Sequence, residues 1–157
     1  MTKRSPTLAL AFFLCAASIS CAKGSPLSPE DLQVAKTAWG SAGYSSYRLV
    51  LKITGDTIET GTFDIEVREG AITEATRNGA PLKNPDTFYT VRGLYKFLED
   101  ELELAEEPGR YFGAGKDSRI YMLAHFDPEN GAPLRYLRAI TETKHNIVVE
   151  VKELTPL

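Results

Sequence analysis

The chain has 157 residues, 43% of them hydrophobic and 25% charged, with a formal net charge of −3. That apolar fraction is too high for a disordered chain, and an acidic chain with no basic stripe lacks the footprint that nucleic-acid phosphates require. Two cysteines in 157 residues also exclude a disulfide-dense scaffold.

The amino-terminal segment runs from Met1-Thr2-Lys3-Arg4 through an uncharged stretch, Ser5 to Ser20, to Cys21. Lys3 and Arg4 make a cationic start, and the apolar core from Leu8 to Ser20 is shorter than the roughly twenty residues a spanning helix needs. Small residues then lead into the cysteine, so the segment reads as an export signal. Ala17-Ser18-Ile19-Ser20-Cys21 resembles the bacterial lipobox, with Ser20 small before the cut, Ile19 acceptable, and Ser18 where leucine is usual. This resemblance implies a lipoprotein signal over residues 1–20 and acylation of Cys21 with chains such as palmitate, which would hold a water-soluble domain on a membrane. Ordinary cleavage after Ala22, with Ser20 and Ala22 as the small residues, is the second reading. A retained apolar anchor is the third. Ala22 in place of Asp after the cysteine resembles the sorting rule for the outer membrane in enteric-type Gram-negative bacteria. The expected address is therefore the cell envelope, outer-membrane-anchored and facing the periplasm or surface, with a soluble periplasmic or secreted protein as the alternative.

Loss of the signal removes Lys3, Arg4 and Cys15, leaving 16 basic against 21 acidic residues and Cys21 as the remaining cysteine. The mature chain is thus acidic, without an intramolecular disulfide, and large enough for one domain with a packed core. Residues 21–28, with Gly24, Pro26 and two serines, are expected to be the acylated cysteine and a polar tether, and 29–157 the folded domain.

Ser28-Pro29-Glu30-Asp31 reads as a helix start, with serine as N-cap, proline in the first turn and acids at the positive helix end. Leu32, Ala35 and Trp39 follow at helical spacing, and Gly40 and Gly43 stop the run. From Tyr44 the period becomes two: Tyr47, Leu49, Leu51 and Ile53 alternate with polar neighbours in a first strand. After a loop from Gly55 to Gly61, Phe63, Ile65 and Val67 mark a second strand, and Glu69-Gly70 a tight turn. Ala71 to Arg77 is a third strand ending at Asn78-Gly79. Pro81 to Asp86 connects to a second helix capped by Thr90, with Val91, Leu94, Leu98, Leu102 and Ala105 as its apolar stripe and Pro108-Gly109 as its close. Arg119 to Phe126, Leu134 to Ile140 and Ile147 to Leu154 read as three further strands. The order helix, three strands, helix, three strands predicts an α+β fold in which two helices cover an antiparallel sheet. Its element order resembles the β-lactamase-inhibitor-like arrangement.

One segment, His125-Phe126-Asp127-Pro128-Glu129-Asn130-Gly131-Ala132-Pro133, has the chemistry of a hairpin turn. Asp127 can bond downstream backbone, Pro128 presets φ, Gly131 can take the left-handed bend, and Pro133 needs no ladder partner at a strand start. The pattern Asp-Pro-x-x-Gly-x-Pro, together with Trp39, Tyr44 to Tyr47, Val67-x-x-Gly70 and Thr90-Val91-Arg92-Gly93-Leu94, resembles a family of bacterial secreted and lipoprotein domains of unknown function. The resemblance covers most of Trp39 to Leu154. Two features of that family are missing: Thr54 to Gly61 has no cysteine, and Leu134 to Arg138 lacks its acidic residues. The resemblance implies a fold and an address but no activity.

Candidate sites are sparse. His125 and His145, even with Asp127, are too few for a zinc site, which needs three or four protein ligands. Gly109 to Asp117 superficially looks like a phosphate loop but lacks the preceding strand, the following helix and a Ser or Thr after Lys116, so no nucleotide is expected. Arg110, Tyr111 and Phe112 are residue types favoured at binding hot spots and are candidate partner contacts, with cover for the core as the competing reading. Glu99, Asp100, Glu101, Glu103, Glu106 and Glu107 crowd the negative end of the second helix, where Lys96 faces Asp100; a solvated face explains them more simply than a basic partner. Asp64 and Glu66 could serve glycoside hydrolysis only across a cleft. No set of residues calls for a cofactor or a metal. The expectation is a non-enzymatic, membrane-tethered envelope module that binds or assembles with an envelope protein, the alternatives being a secreted hydrolase or carbohydrate-active protein and an enzyme inhibitor.

Overall fold

The computed structural model describes residues 24–57 and 59–157; the segment expected to be an export signal, residues 1–20, and Cys21 lie outside them. The first helix, α1 (Pro29–Ala42), begins where Ser28 Oγ accepts a hydrogen bond from the Asp31 amide at 3.1 Å, and it ends at Gly43, whose φ of 70° is left-handed. Its buried stripe is thin, Leu32 and Ala35, with Trp39 packed against the rings of Tyr44 and Tyr47. The second long helix, α2 (Val91–Leu104), follows a single 3-10 turn over Thr87–Tyr89 and is capped by Thr90, whose Oγ1 accepts from the Gly93 amide at 3.0 Å. A side chain at Gly93 would collide with the Thr87 carbonyl, so glycine there lets the turn fold tightly against the helix. Val91, Leu94, Tyr95, Leu98 and Glu101 are buried. The observed face thus includes Tyr95 and a glutamate and leaves Leu102 only partly covered.

Among the described residues, eight strands form one antiparallel sheet: β1 (Ser25–Pro26), β2 (Tyr47–Gly55), β3 (Gly61–Arg68), β4 (Ala71–Arg77), β5 (Ala80–Pro81), β6 (Ile120–Phe126), β7 (Pro133–Ile140) and β8 (Ile147–Pro156). Their order across the sheet is β1-β6-β7-β8-β2-β3-β4-β5. The fold is α+β, as the element order predicts, and the carboxy-terminal strand lies at the centre, joining β7 to β2.

Strand alternation gives the sheet two unlike faces. Leu49, Leu51, Ile53, Phe63, Ile65 and Val67 point one way and are at most 1% exposed, beneath α1 and α2, which touch each other over the same face. Among the described residues, no helix covers the other face.

Two boundaries differ from those the sequence suggests. Ser25 and Pro26 pair with Ala124 and Leu123, Leu27 is buried, and its amide donates to the Met122 carbonyl at 2.9 Å. Residues 25–27 therefore belong to the sheet edge and core and not to a free tether, because Leu27 supplies an apolar side chain that the core absorbs. Pro108-Gly109 does not simply close α2: that helix ends at Leu104, and Pro108–Tyr111 form a short helix of their own, α3.

Candidate functional site

The Asp127–Pro133 hairpin is a built structural element. The Asp127 side chain accepts from the amides of Glu129 and Asn130, Asn130 Oδ1 accepts from the Ala132 amide, and Gly131 sits at φ 81°. A side chain at Gly131 would strike the Ala35 carbonyl of α1 at 2.2 Å. The Tyr95 hydroxyl donates to the Gly131 carbonyl at 2.7 Å and lies 3.1 Å from the Ala35 carbonyl, so the hairpin, α1 and α2 meet at one phenol. Burial pushes the Tyr95 phenol pKa up, which keeps the donor protonated.

The trio Arg110, Tyr111 and Phe112 divides. Phe112 is buried, 5% exposed, and its ring lies under the Arg138 guanidinium, 4.5 Å from the ring centre. Arg138 Nη1 in turn reaches both carboxylate oxygens of Glu101, at 2.5 and 2.7 Å, and Glu101 also accepts from the Tyr136 hydroxyl at 2.7 Å. Burial first, and then the Glu101 charge, push the Tyr136 pKa up. Glu101 is thus withdrawn from the acidic run into a buried ion pair that Phe112 covers. Arg110 and Tyr111 stay exposed, stacked on each other, with Arg110 bonded to Glu107.

The other acids disperse. Glu99 bonds Lys36 of α1, and Asp100 bonds Lys96. Asp64 is gripped by two nitrogens of Arg48, and Glu66 by Arg68, all on the uncovered sheet face and not across a cleft. The histidines stand apart: His125 is opposite Arg135 in the sheet, whereas His145 lies in the β7–β8 connection with Nδ1 3.5 Å from Asp56. Among the described residues, no three His, Cys, Asp or Glu side chains converge on one point. A void of about 10 Å³ lies between α2 and strands β7 and β8 among Leu94, Leu98, Tyr136 and Val149, and a shallow depression runs along Gln33, Val34, Thr37, Ala38 and Ser41 of α1.

The uncovered face holds the feature that the sequence reading missed. The register places Pro26 opposite Leu123, Leu123 opposite Leu137, and Leu137 opposite Val148, an apolar row across four strands. Tyr121, 47% exposed, and Ala139 are paired beside it. None of these residues belongs to the core or packs against it. The next row, His125, Arg135, Glu150 and Lys52, is polar. Beyond it, the β2–β4 half of the face is closed by Arg48 with Asp64 and Glu153, and by Glu66 with Arg68 and Thr73. The signal was present in the sequence: Ile120 to Phe126, Leu134 to Ile140 and Ile147 to Val149 are apolar in both phases of the alternation, which a strand with one solvated face does not require.

Searches of family models, curated proteins and solved structures return no match to this chain.

Proposed function

We propose that this chain is an exported lipoprotein acylated at Cys21, and that its α+β domain is a non-enzymatic binding module of the cell envelope whose ligand covers the apolar half of the open sheet face. The observation that carries the reading is the contiguous row Pro26, Leu123, Leu137 and Val148, with Tyr121 beside it, on a face that no helix among the described residues covers. Pro26 and Tyr121 are exposed and Leu123, Leu137 and Val148 half-buried, and contiguous apolar surface on a water-soluble domain is expensive to leave in water. The exposed pair Arg110 and Tyr111 is a secondary contact at most, since Phe112 beside them serves the interior.

Two measurements test the reading. Expressed in a bacterial host with its own signal, the wild-type chain partitions with membranes, and Cys21→Ser releases it to the soluble fraction; unchanged membrane association of the variant defeats the anchor. A photo-crosslinking amino acid at position 121 forms adducts in intact cells that the same group at Val34, 70% exposed on α1, does not form. Equal or absent adducts at both positions defeat the binding face.

A further inference from the structure

We infer that the ligand of the apolar half-face is the bilayer surface to which the chain is anchored, so that the domain lies on the membrane with its helices outward. The inference rests on acylation at Cys21. Three observations carry it.

The first is reach. Only Ala22 and Lys23 separate Cys21 from Gly24. Gly24 already lies against β6, where a side chain would come within 2.9 Å of the Ala124 carbonyl, and Ser25 and Pro26 are paired into the sheet. At no more than about 3.6 Å per residue, three steps from Cys21 to Gly24 span at most about 11 Å, and five steps to Pro26 about 18 Å. A domain held this closely has some face against the headgroup layer.

The second is which face is nearest. Pro26 stands in the apolar row, and the strand carrying it is the sheet edge at which the spacer arrives. The row runs from that edge inward through Leu123, Leu137 and Val148. Patch and anchor are thus continuous. The opposite face is already filled by Leu27, which is buried among the core residues beneath the helices.

The third is charge. Glu103, exposed on α2, lies on the helical layer, on the far side of the sheet from the row. Beside the row stand His125, Arg135 and Lys52, with Glu150 among them held by Lys152. Next to the row, Arg135 and Lys52 offer cations to anionic headgroups, while the acids Asp64, Glu66 and Glu153 farther along the same face are held in ion pairs.

The test uses the full-length, acylated chain in vesicles of phosphatidylethanolamine and phosphatidylglycerol. Cysteines introduced by Tyr121→Cys, Leu137→Cys and, as control, Val34→Cys each carry a polarity-sensitive fluorophore, and lipids bearing a quencher at a shallow acyl position report contact. The probes at 121 and 137 are expected to be quenched at least about threefold more than the probe at 34, the depth expected of an apolar face resting at the headgroup boundary. Equal quenching at all three positions, or quenching at 34 alone, overturns the inference. Tyr121→Cys changes an exposed side chain and decides the matter alone if Leu137→Cys fails to fold. Mass analysis of the same samples separates the two readings. An unacylated Cys21 defeats the anchor on which the inference rests, whereas an acylated chain with no selective quenching defeats only the orientation. A photo-crosslink from position 121 to a protein, with none to lipid, also overturns the bilayer as ligand while leaving the binding face in place.

Discussion

Arg138 shows how one side chain can bind three parts of this molecule together. Its guanidinium offers Nη1 to both oxygens of Glu101, gives Nε to the His145 carbonyl at 3.1 Å, and rests its flat side on Phe112. With side-chain exposures of 11% and 4%, Arg138 and Glu101 form an ion pair largely out of water, tolerable because the Tyr136 hydroxyl meets the carboxylate as well. Removing one member strands the other. Arg138→Ala is therefore expected to lower the unfolding free energy by about 3 kcal/mol in urea denaturation, and Arg138→Lys to lose most of the same amount, because lysine has neither the planar fork nor the face that stacks on Phe112. The double variant Glu101→Leu with Arg138→Met is expected to be more stable than Arg138→Ala, since no charge is left buried alone; a double variant as unstable as the single would show that the ion pair is not the source of the loss. None of this was legible in the sequence. Glu101 sits in a run of acids with nothing to distinguish it, and Phe112 next to Arg110 and Tyr111 looks like a surface anchor until the guanidinium that it supports is located 26 positions later.

Elements, by contrast, were largely readable, because periodicity is a local property. The alternation in Tyr47 to Ile53 and Phe63 to Val67 gave both strands and their buried face, and the caps Ser28 and Thr90 gave both helix starts. Cross-strand partners were not readable, because register depends on turns and on neighbours distant in sequence. Arg48 is opposite Glu66 in the ladder yet bonds diagonally to Asp64, with Nε to Oδ1 at 2.9 Å and Nη2 to Oδ2 at 2.6 Å. The Arg48 hydrogen bonds hold the Asp64 carboxyl below its usual pKa against the opposing effect of burial. A carboxyl whose pKa is lower folded than unfolded binds fewer protons in the folded state. Its stabilisation is thus complete above the unfolded value near ~4 and is lost as pH falls through the lower folded value. Wild type is accordingly expected to lose stability below about pH 4 more steeply than Asp64→Asn, while at pH 7 the variant is weaker by less than about 1 kcal/mol, because both partners are more than a third exposed. Parallel acid limbs in urea midpoints from pH 7 to pH 2 would mean that the pair contributes no such term.

At the scale of the whole molecule, the chain reads as two successive helix-and-three-strand units whose long strands join where β8 pairs with β2, while α1 meets α2 above them and β1 reaches across to β6. That pairing runs from Tyr47 opposite Pro156 to Gly55 opposite Ile147, so the first long strand waits for the last. The unit order was visible in the sequence, and the strand order was not. The two units share the helix-covered core, but their outer surfaces differ: ion pairs close the β2–β4 side, and apolar side chains occupy the β6–β8 side next to the amino-terminal edge. If the bilayer covers that apolar side, the short spacer is part of the device, because it fixes a high effective concentration of membrane beside a face too small to hold a domain by itself. A twenty-residue Gly/Ser insertion between Lys23 and Gly24 would give the spacer a root-mean-square span of about 25 Å and dilute the bilayer around the face, with effective concentration falling as roughly the −3/2 power of spacer length. The inserted chain is expected to stay fully in the membrane fraction, because the proposed acylation at Cys21 is untouched, while lipid quenching of a probe at position 121 drops at least about twofold. Quenching equal to that of the uninserted chain would show that the face finds the membrane unaided and that the length of residues 22–24 is incidental.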